Sequence, residues 1–311
     1  ALGPPWPWPE GDDADAVAVR TSHPRWIVDV LTTQLGAADA LATLELNNQA
    51  PAVTLRPNRL RTTPADLAAE LTCAGAEVEA GALVPEAVLV RGIGDPGRLP
   101  AVAEGRATPQ DQASQAVVAA VGAQPGETIG DMAAAPGGKA TGLAEAMGDD
   151  GTVVASDLRA GRARLVTAAA RRLGLGSVLT VVAEGRALPF GPGRFVRVLL
   201  DAPCSGLGVL RRRPEARWRV DQDDVDRLAA LQRELLTAAV AATRPGGLIA
   251  YAVCTLTAAE TLDVDAWAAQ RWPDLRAEPP PGPPWRPHGR GALLAPHAAG
   301  TDGMYLLLLR T

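Results

Sequence analysis

Membrane-spanning and secretory features are missing from the sequence. No segment has 18 or more uninterrupted apolar residues, although 47% of the chain is hydrophobic, so no transmembrane helix is predicted. The first residues, ALGPPWPWP, lack the basic region and the apolar core of a signal peptide. We therefore expect a soluble cytoplasmic protein. Its 311 residues are enough for two domains, each with its own core.

Cysteine and histidine are scarce. The chain has three of each, and an odd number of cysteines cannot all be paired, so Cys73, Cys204 and Cys254 are expected to be reduced thiols. There is no Cys-x-x-Cys pair and the histidines share no ligand spacing, so no metal site is predicted. Cys73 falls on the apolar face of a predicted helix, where we expect a buried structural thiol.

Aromatic residues make up only 4% of the chain, and the formal net charge is −5. This charge argues against a protein that coats nucleic acid non-specifically. One segment of nine residues is different, because it holds a single acid, Glu215, and five arginines: Arg211, Arg212, Arg213, Arg217 and Arg219. A solvated loop is the ordinary explanation of such a run. Its place directly after a cysteine segment favours phosphate contact instead.

Two segments that each contain a cysteine follow predicted buried strands. Residues 197–200 precede Asp201-Ala202-Pro203-Cys204, and residues 247–250 precede Tyr251-Ala252-Val253-Cys254. A helical stretch separates the two strands, which makes them parallel neighbours. Adjacent strands lie about 4.8 Å apart, so both cysteines are expected at the same sheet edge. The sequence predicts a reaction centre in which one thiol attacks and the other assists.

The rest of the pattern predicts an α/β fold with a smaller α+β domain before it. Residues 1–21, rich in proline and tryptophan, have no periodic pattern and are expected to be irregular. Residues 22–104 are predicted to form the small α+β domain. Residues 105–311 alternate strands and helices, which is typical of a doubly wound, Rossmann-like parallel sheet.

A loop of small residues, DMAAAPGGK at 131–139, follows the first predicted strand of this sheet. Small residues let the backbone approach a ligand closely, at the place where such sheets bind nucleotides. A phosphate-binding Walker loop is excluded because Ala133 and Ala140 replace its first glycine and its hydroxyl residue, and no Gly-x-Gly-x-x-Gly is present. The loop therefore predicts a nucleotide-like cofactor that has no polyphosphate.

Two acids follow the next strands. Asp157 ends the second strand, where a carboxylate can bind ribose hydroxyls, although a helix-capping role fits this residue equally well. Glu184 ends the third strand and can reach an adenine amino group. An adenosine bound in this way indicates S-adenosylmethionine.

Taken together, these motifs resemble those of the RsmB-like, Fmu/Sun-type RNA cytosine-5 methyltransferases, in the branch that acts on small-subunit ribosomal RNA. The resemblance runs from about residue 22 to residue 310. Its most specific pieces are QDQASQ at 110–115, DMAAAPGGK at 131–139, DAPCSGLGV at 201–209, RRPE at 212–215, YAVCT at 251–255 and DGMY at 302–305. The branch assignment depends on SHPRW at 22–26 and NNQAP at 47–51.

The resemblance implies the roles of the two cysteines and of the residues that hold the cofactor, whereas the general-acid role of Asp201 and the roles of the arginines and Lys139 are expected from the residues and the reaction chemistry. Cys254 is the nucleophile, Cys204 assists product release, and Asp201 acts on the base as general acid. S-adenosylmethionine is held by Ala133, Ala134, Ala135, Pro136, Gly137, Gly138, Lys139, Asp157, Glu184 and Asp201. RNA is contacted by the arginines at 211, 212 and 213, and Lys139 either contacts the base or caps the loop electrostatically. The family usually has Cys at position 133 and Asp at position 184, where this chain has Ala and Glu.

The function expected from the resemblance is formation of 5-methylcytosine in small-subunit ribosomal RNA through a covalent cysteine adduct at carbon 6 of cytosine. Residues 22–104 would contact RNA through shape and phosphate, because the aromatic stacking motif of RNA-recognition modules is missing. Residues 105–311 would form the methyltransferase domain of a monomer that binds neither a membrane nor a metal.

Three alternatives stay open. The substrate can be tRNA, or a small molecule or protein, and the chain can be a binding module without activity. Spacing also does not decide which thiol attacks, since DNA cytosine methyltransferases use the cysteine of a Pro-Cys dipeptide, which here is Cys204.

Overall fold

The computed structural model describes residues 8–311, and the predictions for residues 1–7 lie outside the described residues. The helices are α1 (Ala14–Thr21), α2 (Arg25–Leu35), α3 (Ala37–Leu46), α4 (Pro64–Cys73), α5 (Pro100–Ala103), α6 (Gln112–Val121), α7 (Gly138–Ala146), α8 (Ala160–Leu173), α9 (Gln222–Ala242), α10 (Leu262–Arg271) and α11 (Pro296–Ala299). The strands are β1 (Val53–Pro57), β2 (Glu77–Ala80), β3 (Val88–Arg91), β4 (Ala107–Pro109), β5 (Thr128–Met132), β6 (Thr152–Asp157), β7 (Val178–Val182), β8 (Phe195–Asp201), β9 (Thr243–Val253), β10 (Arg276–Ala277), β11 (Arg286–His288), β12 (Gly291–Leu294) and β13 (Met304–Arg310).

The larger sheet has the strand order β11-β12-β13-β9-β8-β5-β6-β7, and β10 pairs with β13. Strands β5 to β9 are parallel, and β13 runs antiparallel to β9. The central strands are runs of apolar residues because helices cover both faces of a parallel sheet. The predicted α/β, Rossmann-like fold class is confirmed, with an antiparallel extension at one side.

The smaller sheet is antiparallel, in the order β2-β3-β1-β4. Helix α4 begins after Thr63, whose side chain accepts the N–H of Asp66, and packs Leu67 and Leu71 into a core with β1 and β3. Strand β4 lies after residue 104, so the small sheet extends past the predicted boundary. Three residues of β4 are too few to show a period-2 pattern in the sequence.

Helix α1 contradicts the prediction that residues 1–21 are irregular. Its first turn is capped by Asp13, whose Oδ1 accepts the N–H groups of Asp15 and Ala16, both at 3.0 Å. Such a cap stabilises a helix by about 1 kcal/mol. Burial of Val17 and Ala18 then fixes α1 against the protein.

Helices α2 and α3 were predicted to belong to the small domain, but they pack against the larger sheet. Ile27, Leu31 and Leu44 are fully buried in the same core as Leu207 and Tyr251. Helical periodicity identifies which face of a helix is apolar, but it does not identify the partner that covers this face. The small core therefore consists of residues from β1 to β4 and the helices between them.

Candidate active site

Both cysteines lie at the carboxyl ends of neighbouring parallel strands. Asp201 at the end of β8 is in register with Ala252 of β9. Cys204 Sγ and Cys254 Sγ are 3.3 Å apart, and both are free thiols. Gly208 donates its N–H to the Cys254 carbonyl at 3.0 Å, and a Cβ at this position would lie 2.3 Å from the Gly303 carbonyl oxygen. The close packing of these loops therefore requires glycine and holds the two thiols in contact.

A cleft of about 690 Å³ opens in front of the thiols. Its lining includes both cysteines and three carboxylates, those of Asp157, Glu184 and Asp201. Cavities that hold nucleotide-sized ligands have about this volume. The structure thus brings the two groups of predicted residues, for the cofactor and for the chemistry, to one cleft.

The small-residue loop forms one wall of this cleft and continues into a second cavity. Ala133 and Ala135 line the cleft, and Ala134 is buried beside it. Gly137 has a φ of +107°, and a Cβ there would lie 3.0 Å from Cα of Val166 in α8. Only glycine allows the chain to turn here against that helix.

Two acids at the cleft are paired with arginines. Asp157 Oδ1 accepts the N–H of Arg159 at 3.0 Å, and its Oδ2 accepts from Arg162 Nε at 3.2 Å. The hydrogen bond from Arg186 lowers the pKa of Glu184, so this carboxylate is charged at neutral pH. Asp157 thus binds the residue before α8 and an arginine of its first turn without capping the helix, and its position in the cleft allows the ribose contact.

Lys139 reaches from the start of α7 to Asp201. Its Nζ donates to Asp201 Oδ2 at 2.7 Å and to Ser114 Oγ at 3.3 Å. Burial would lower the pKa of Lys139, but the charge and hydrogen bond of Asp201 raise it, so the ammonium form persists. Lys139 and Asp201 therefore present a buried cation and a half-buried carboxylate beside the thiols.

A second cavity of about 350 Å³ lies on the other side of this ion pair. Asp131 lines it and is almost fully buried, and neither oxygen of its carboxyl group has a hydrogen-bond partner among the residues described. Burial, and next the charge of Asp201, raise the pKa of Asp131 well above its usual range. Asp302 lines the same cavity, and burial together with Asp111 raises its pKa to about 7. The motifs DMAAAPGGK and DGMY contained these acids, but nothing in the sequence indicated their burial.

Glu260 is a site residue that sequence reasoning missed. It is fully buried and its carboxylate accepts hydrogen bonds from both cysteine loops: from Ser205 N at 2.8 Å, Thr255 Oγ1 at 3.0 Å, Thr257 Oγ1 at 2.8 Å and Gln232 Nε2 at 3.0 Å. Ser205 directly follows Cys204, and Thr255 directly follows Cys254. A single carboxylate thus holds the loops that carry the two thiols. Its donors lie between Ser205 and Thr257, in separate segments of the chain, so no local sequence motif indicates it.

The arginines predicted to bind substrate differ in their surroundings. Arg211 donates to the carbonyl oxygens of Gln49, Ala50 and Gly300, and Arg212 binds the carboxylates of Asp111 and Asp302. Arg213 lines the cleft with a side chain that is 71% exposed, and its nearest carboxylate, Glu215, is 3.8 Å away. Arg213 is therefore the most accessible of the three for a phosphate.

One prediction about another cysteine was wrong. Cys73 is exposed at the end of α4, so the expectation of a buried structural thiol was wrong; it lies at the helix end rather than on the face that α4 packs against its sheet. Within residues 8–311, no group of three or more His, Cys, Asp or Glu side chains is placed to hold a metal ion. Across the same residues, no helix has both the length and the apolar character to cross a membrane.

Sequence comparison gives two family matches. Residues 118–310 match the family described as 16S rRNA methyltransferase RsmB/F, and residues 23–95 match the RsmF/B-like ferredoxin-like domain. A Mycobacterium tuberculosis protein, named only as a methyltransferase, is 40% identical over 97% of this chain and 66% of its own length. Ribosomal RNA small subunit methyltransferase B of Pseudomonas syringae is 36% identical over 92% of this chain and 65% of its own length.

Structural comparison agrees. The crystal structure of PH0851 has a TM-score of 0.91 and 28% identity, and covers 98% of this chain and 70% of its own. A methyltransferase homologue from Pyrococcus horikoshii has a TM-score of 0.82 and 25% identity, and covers 97% of this chain and 100% of its own. The chain spans about two thirds of the length of the curated relatives described above.

Proposed function

The chain belongs to the RsmB/F family of 16S rRNA methyltransferases, and on this premise we propose that it methylates carbon 5 of cytosine in RNA, with small-subunit ribosomal RNA as its substrate. The observation that carries the proposal is the pair of thiols, 3.3 Å apart, in a cleft that also contains Asp201 and the small-residue loop. Two thiols and an acid are the groups that a covalent route to 5-methylcytosine needs. Methyl transfer that does not proceed through a covalent cysteine adduct has no need of this pair of thiols.

The cleft fits S-adenosylmethionine, which supplies a methyl group on a positively charged sulfur. The loop from Ala133 to Lys139 would hold the cofactor at its wall, and Asp157 and Glu184 would accept hydrogen bonds from its ribose and adenine. Glu184 is paired with an exposed arginine. Exposed ion pairs contribute little free energy, so this carboxylate can exchange its partner at small cost. The longer side chain at position 184 is compatible with an adenine contact for this reason.

Cys254 is proposed as the nucleophile. Carbon 5 of cytosine attacks a methyl group only after a thiolate has added to carbon 6, which turns the ring into an enamine. A negative charge on Cys254 contributes to the raised pKa of Lys139. The neighbouring charges of Cys204 are instead the carboxylates of Glu260 and Asp201.

Cys204 is proposed to remain a neutral thiol. Its hydrogen bond with Cys254 and its burial raise the pKa of Cys204 well above its usual range. A neutral Cys204 donates its S–H to the Cys254 sulfur while that sulfur is an anion. After methyl transfer, the proton on carbon 5 leaves to a base, and the bond between Cys254 Sγ and carbon 6 breaks. Cys204 then stabilises the departing thiolate through the same hydrogen bond.

Asp201 is proposed to act on the N3 and N4 edge of the base. Addition of the thiolate puts negative charge on the ring. Asp201 in its protonated form would transfer its proton to N3, which neutralises that charge and leaves the Asp201 carboxylate paired with Lys139. The Asp201 carboxylate lines the cleft beside both thiols, and Lys139 fixes its orientation through the 2.7 Å hydrogen bond. Lys139 is thus proposed to orient the acid, and its remaining N–H groups can contact the base.

Transfer of labelled methyl from S-adenosylmethionine to a small-subunit ribosomal RNA transcript tests the proposal. Digestion of the RNA to nucleosides is expected to place the label in 5-methylcytidine. Label on tRNA alone would replace the proposed substrate, and label on protein, or none when cofactor binding is confirmed, would refute the function. The proposed cytoplasmic location and monomeric state are tested by cell fractionation and by light scattering.

Asp157→Ala is expected to weaken S-adenosylmethionine binding by about 10- to 100-fold, because a hydrogen bond to a charged acceptor contributes about 1.5–3 kcal/mol. Isothermal titration calorimetry measures this directly. The exposed Asp29 of α2 provides the control, since Asp29→Ala leaves the cleft intact. Unchanged affinity in Asp157→Ala would leave Asp157 with only its helix-end contact.

A further inference from the structure

One tryptophan beside the cleft is exposed rather than packed. Trp218 is 66% exposed, the highest value among the large apolar side chains in residues 8–311. In contrast, Trp26, Trp267 and Trp272 pack against the main core, and Trp285 is 5% exposed. An exposed indole offers a large, flat apolar face, with one N–H donor, to a ligand.

The segment that carries Trp218 is firmly attached to the protein. Trp218 ends a short 3-10 helix, Pro214–Trp218. The preceding side chain, Arg217, is buried and donates to the Ser22 carbonyl and to Asn48 Oδ1, both at 2.9 Å. On the other side of the helix, Arg212 is fixed by two carboxylates. The indole is therefore presented on a rigid support.

Arginines flank Trp218 in the sequence, and the exposed acids Asp221 and Asp223 follow it. Arg219 is exposed and makes no ion pair or side-chain hydrogen bond with the residues that the structure describes. Arg211 and Arg217 bind backbone carbonyl oxygens and form no ion pair with the residues that the structure describes. Glu215 offsets part of this charge through Arg213. An exposed aromatic ring beside arginines that form no ion pair is complementary to a base and its phosphates.

The position of this surface connects it to the reaction centre. Ala216, two residues before Trp218, lines the cleft together with Arg213 and both thiols. A nucleotide whose cytosine is turned into the cleft must leave its neighbours at the rim. These neighbours are unstacked on one side, and an aromatic ring at the rim can replace the lost stacking partner.

We propose that Trp218 is a stacking platform for an unpaired base next to the target cytosine, with Arg219 and Arg213 binding the adjoining phosphates. This inference rests on the proposed function and goes beyond it, because it assigns the recognition of the flanking nucleotide to one residue. The sequence-based expectation was contact by phosphate and shape in the small domain, together with phosphate contact by the arginines at 211, 212 and 213 of the larger domain. Trp218 adds a stacking contact on the larger domain, at the edge of the cleft.

Binding of short single-stranded fragments of small-subunit ribosomal RNA by Trp218→Ala, Trp218→Phe and wild type tests the inference. Stacking on an aromatic side chain corresponds to a roughly 5- to 100-fold change in the dissociation constant. We expect Trp218→Ala to lose this factor and Trp218→Phe to keep most of it. The affinity for S-adenosylmethionine and the melting temperature are expected to stay unchanged. Leu165→Ala, which removes an exposed apolar side chain from α8, is the control.

An abasic scan separates stacking from a general surface effect. Removing single bases around the target cytosine is expected to weaken wild-type binding strongly at one flanking position, and to have little further effect there in Trp218→Ala. Equal RNA affinity of Trp218→Ala and wild type, or an abasic penalty that is the same in both proteins at every position, would overturn the inference. If wild type does not methylate RNA, the proposed function fails; if it does and Trp218→Ala binds normally, only this inference fails.

Discussion

Cys254→Ala is expected to abolish methyl transfer and the covalent RNA adduct, while leaving S-adenosylmethionine binding intact. Without addition of a thiolate to carbon 6, carbon 5 of cytosine is too weak a nucleophile to attack the methyl group. Loss of a covalent nucleophile typically removes several orders of magnitude of rate. The measurement is the rate of label transfer to RNA, together with a denaturing gel that reveals RNA bound covalently to protein.

Cys204→Ala provides the matched comparison, because the two thiols are 3.3 Å apart and equally small. This variant is expected to form the adduct and to retain it, since the neutral thiol that stabilises the departing Cys254 sulfur is gone. A denaturing gel should then show protein shifted by bound RNA in Cys204→Ala only. The reverse pattern, with the adduct retained in Cys254→Ala, would exchange the two roles.

Glu260→Ala is expected to have the second largest effect, on both stability and rate. Its removal leaves the buried donors of Ser205, Thr255, Thr257 and Gln232 without their acceptor. Each unsatisfied buried group costs about 1–3 kcal/mol. Because the structure relaxes in part, we expect the free energy of unfolding to fall by about 3–5 kcal/mol in total. The loops that carry both thiols lose their common attachment, so the adduct should form at least about 100-fold more slowly, as misplacement by about 1 Å produces.

If Glu260 had only a structural role, its removal would lower the stability of the protein without changing the rate of adduct formation. Asp265→Ala is the control for this, because Asp265 is also buried and hydrogen-bonded, but to Arg290, among residues that do not line the cleft. At a temperature where all variants are folded, Glu260→Ala should show a lower rate of adduct formation with an unchanged affinity for S-adenosylmethionine, and Asp265→Ala should match wild type in both. Equal rates in the two variants would show that Glu260 only stabilises the fold.

The sequence predicted the features that depend on local pattern and chain order. Strands β8 and β9 were identifiable as apolar runs, and the helix between them made them parallel neighbours, so the approach of Cys204 and Cys254 could be expected. The same reasoning placed Asp157 and Glu184 at successive strand ends. These inferences work because the carboxyl ends of parallel strands meet at one edge.

Features that depend on the partner of a segment could not be predicted. To predict that α2 and α3 pack on the larger sheet, one must know which core accepts them. Their own periodicity does not give this information. Helix α1 is short, and its stability comes from the Asp13 cap together with burial of Val17. Glu260 was missed because its donors come from three separate segments. Trp218 was missed because an exposed and a buried tryptophan look the same in a sequence.

Trapping of the adduct on RNA that carries 5-fluorocytidine tests the central claim most directly. Fluorine at carbon 5 cannot leave as the proton does, so elimination is blocked after methyl transfer and the enzyme stays attached to carbon 6. Proteolysis and mass spectrometry of the trapped complex are expected to find a methylated fluorocytidine on the peptide that contains Cys254. Attachment through Cys204, or no attachment in protein that binds both RNA and S-adenosylmethionine, would contradict the account.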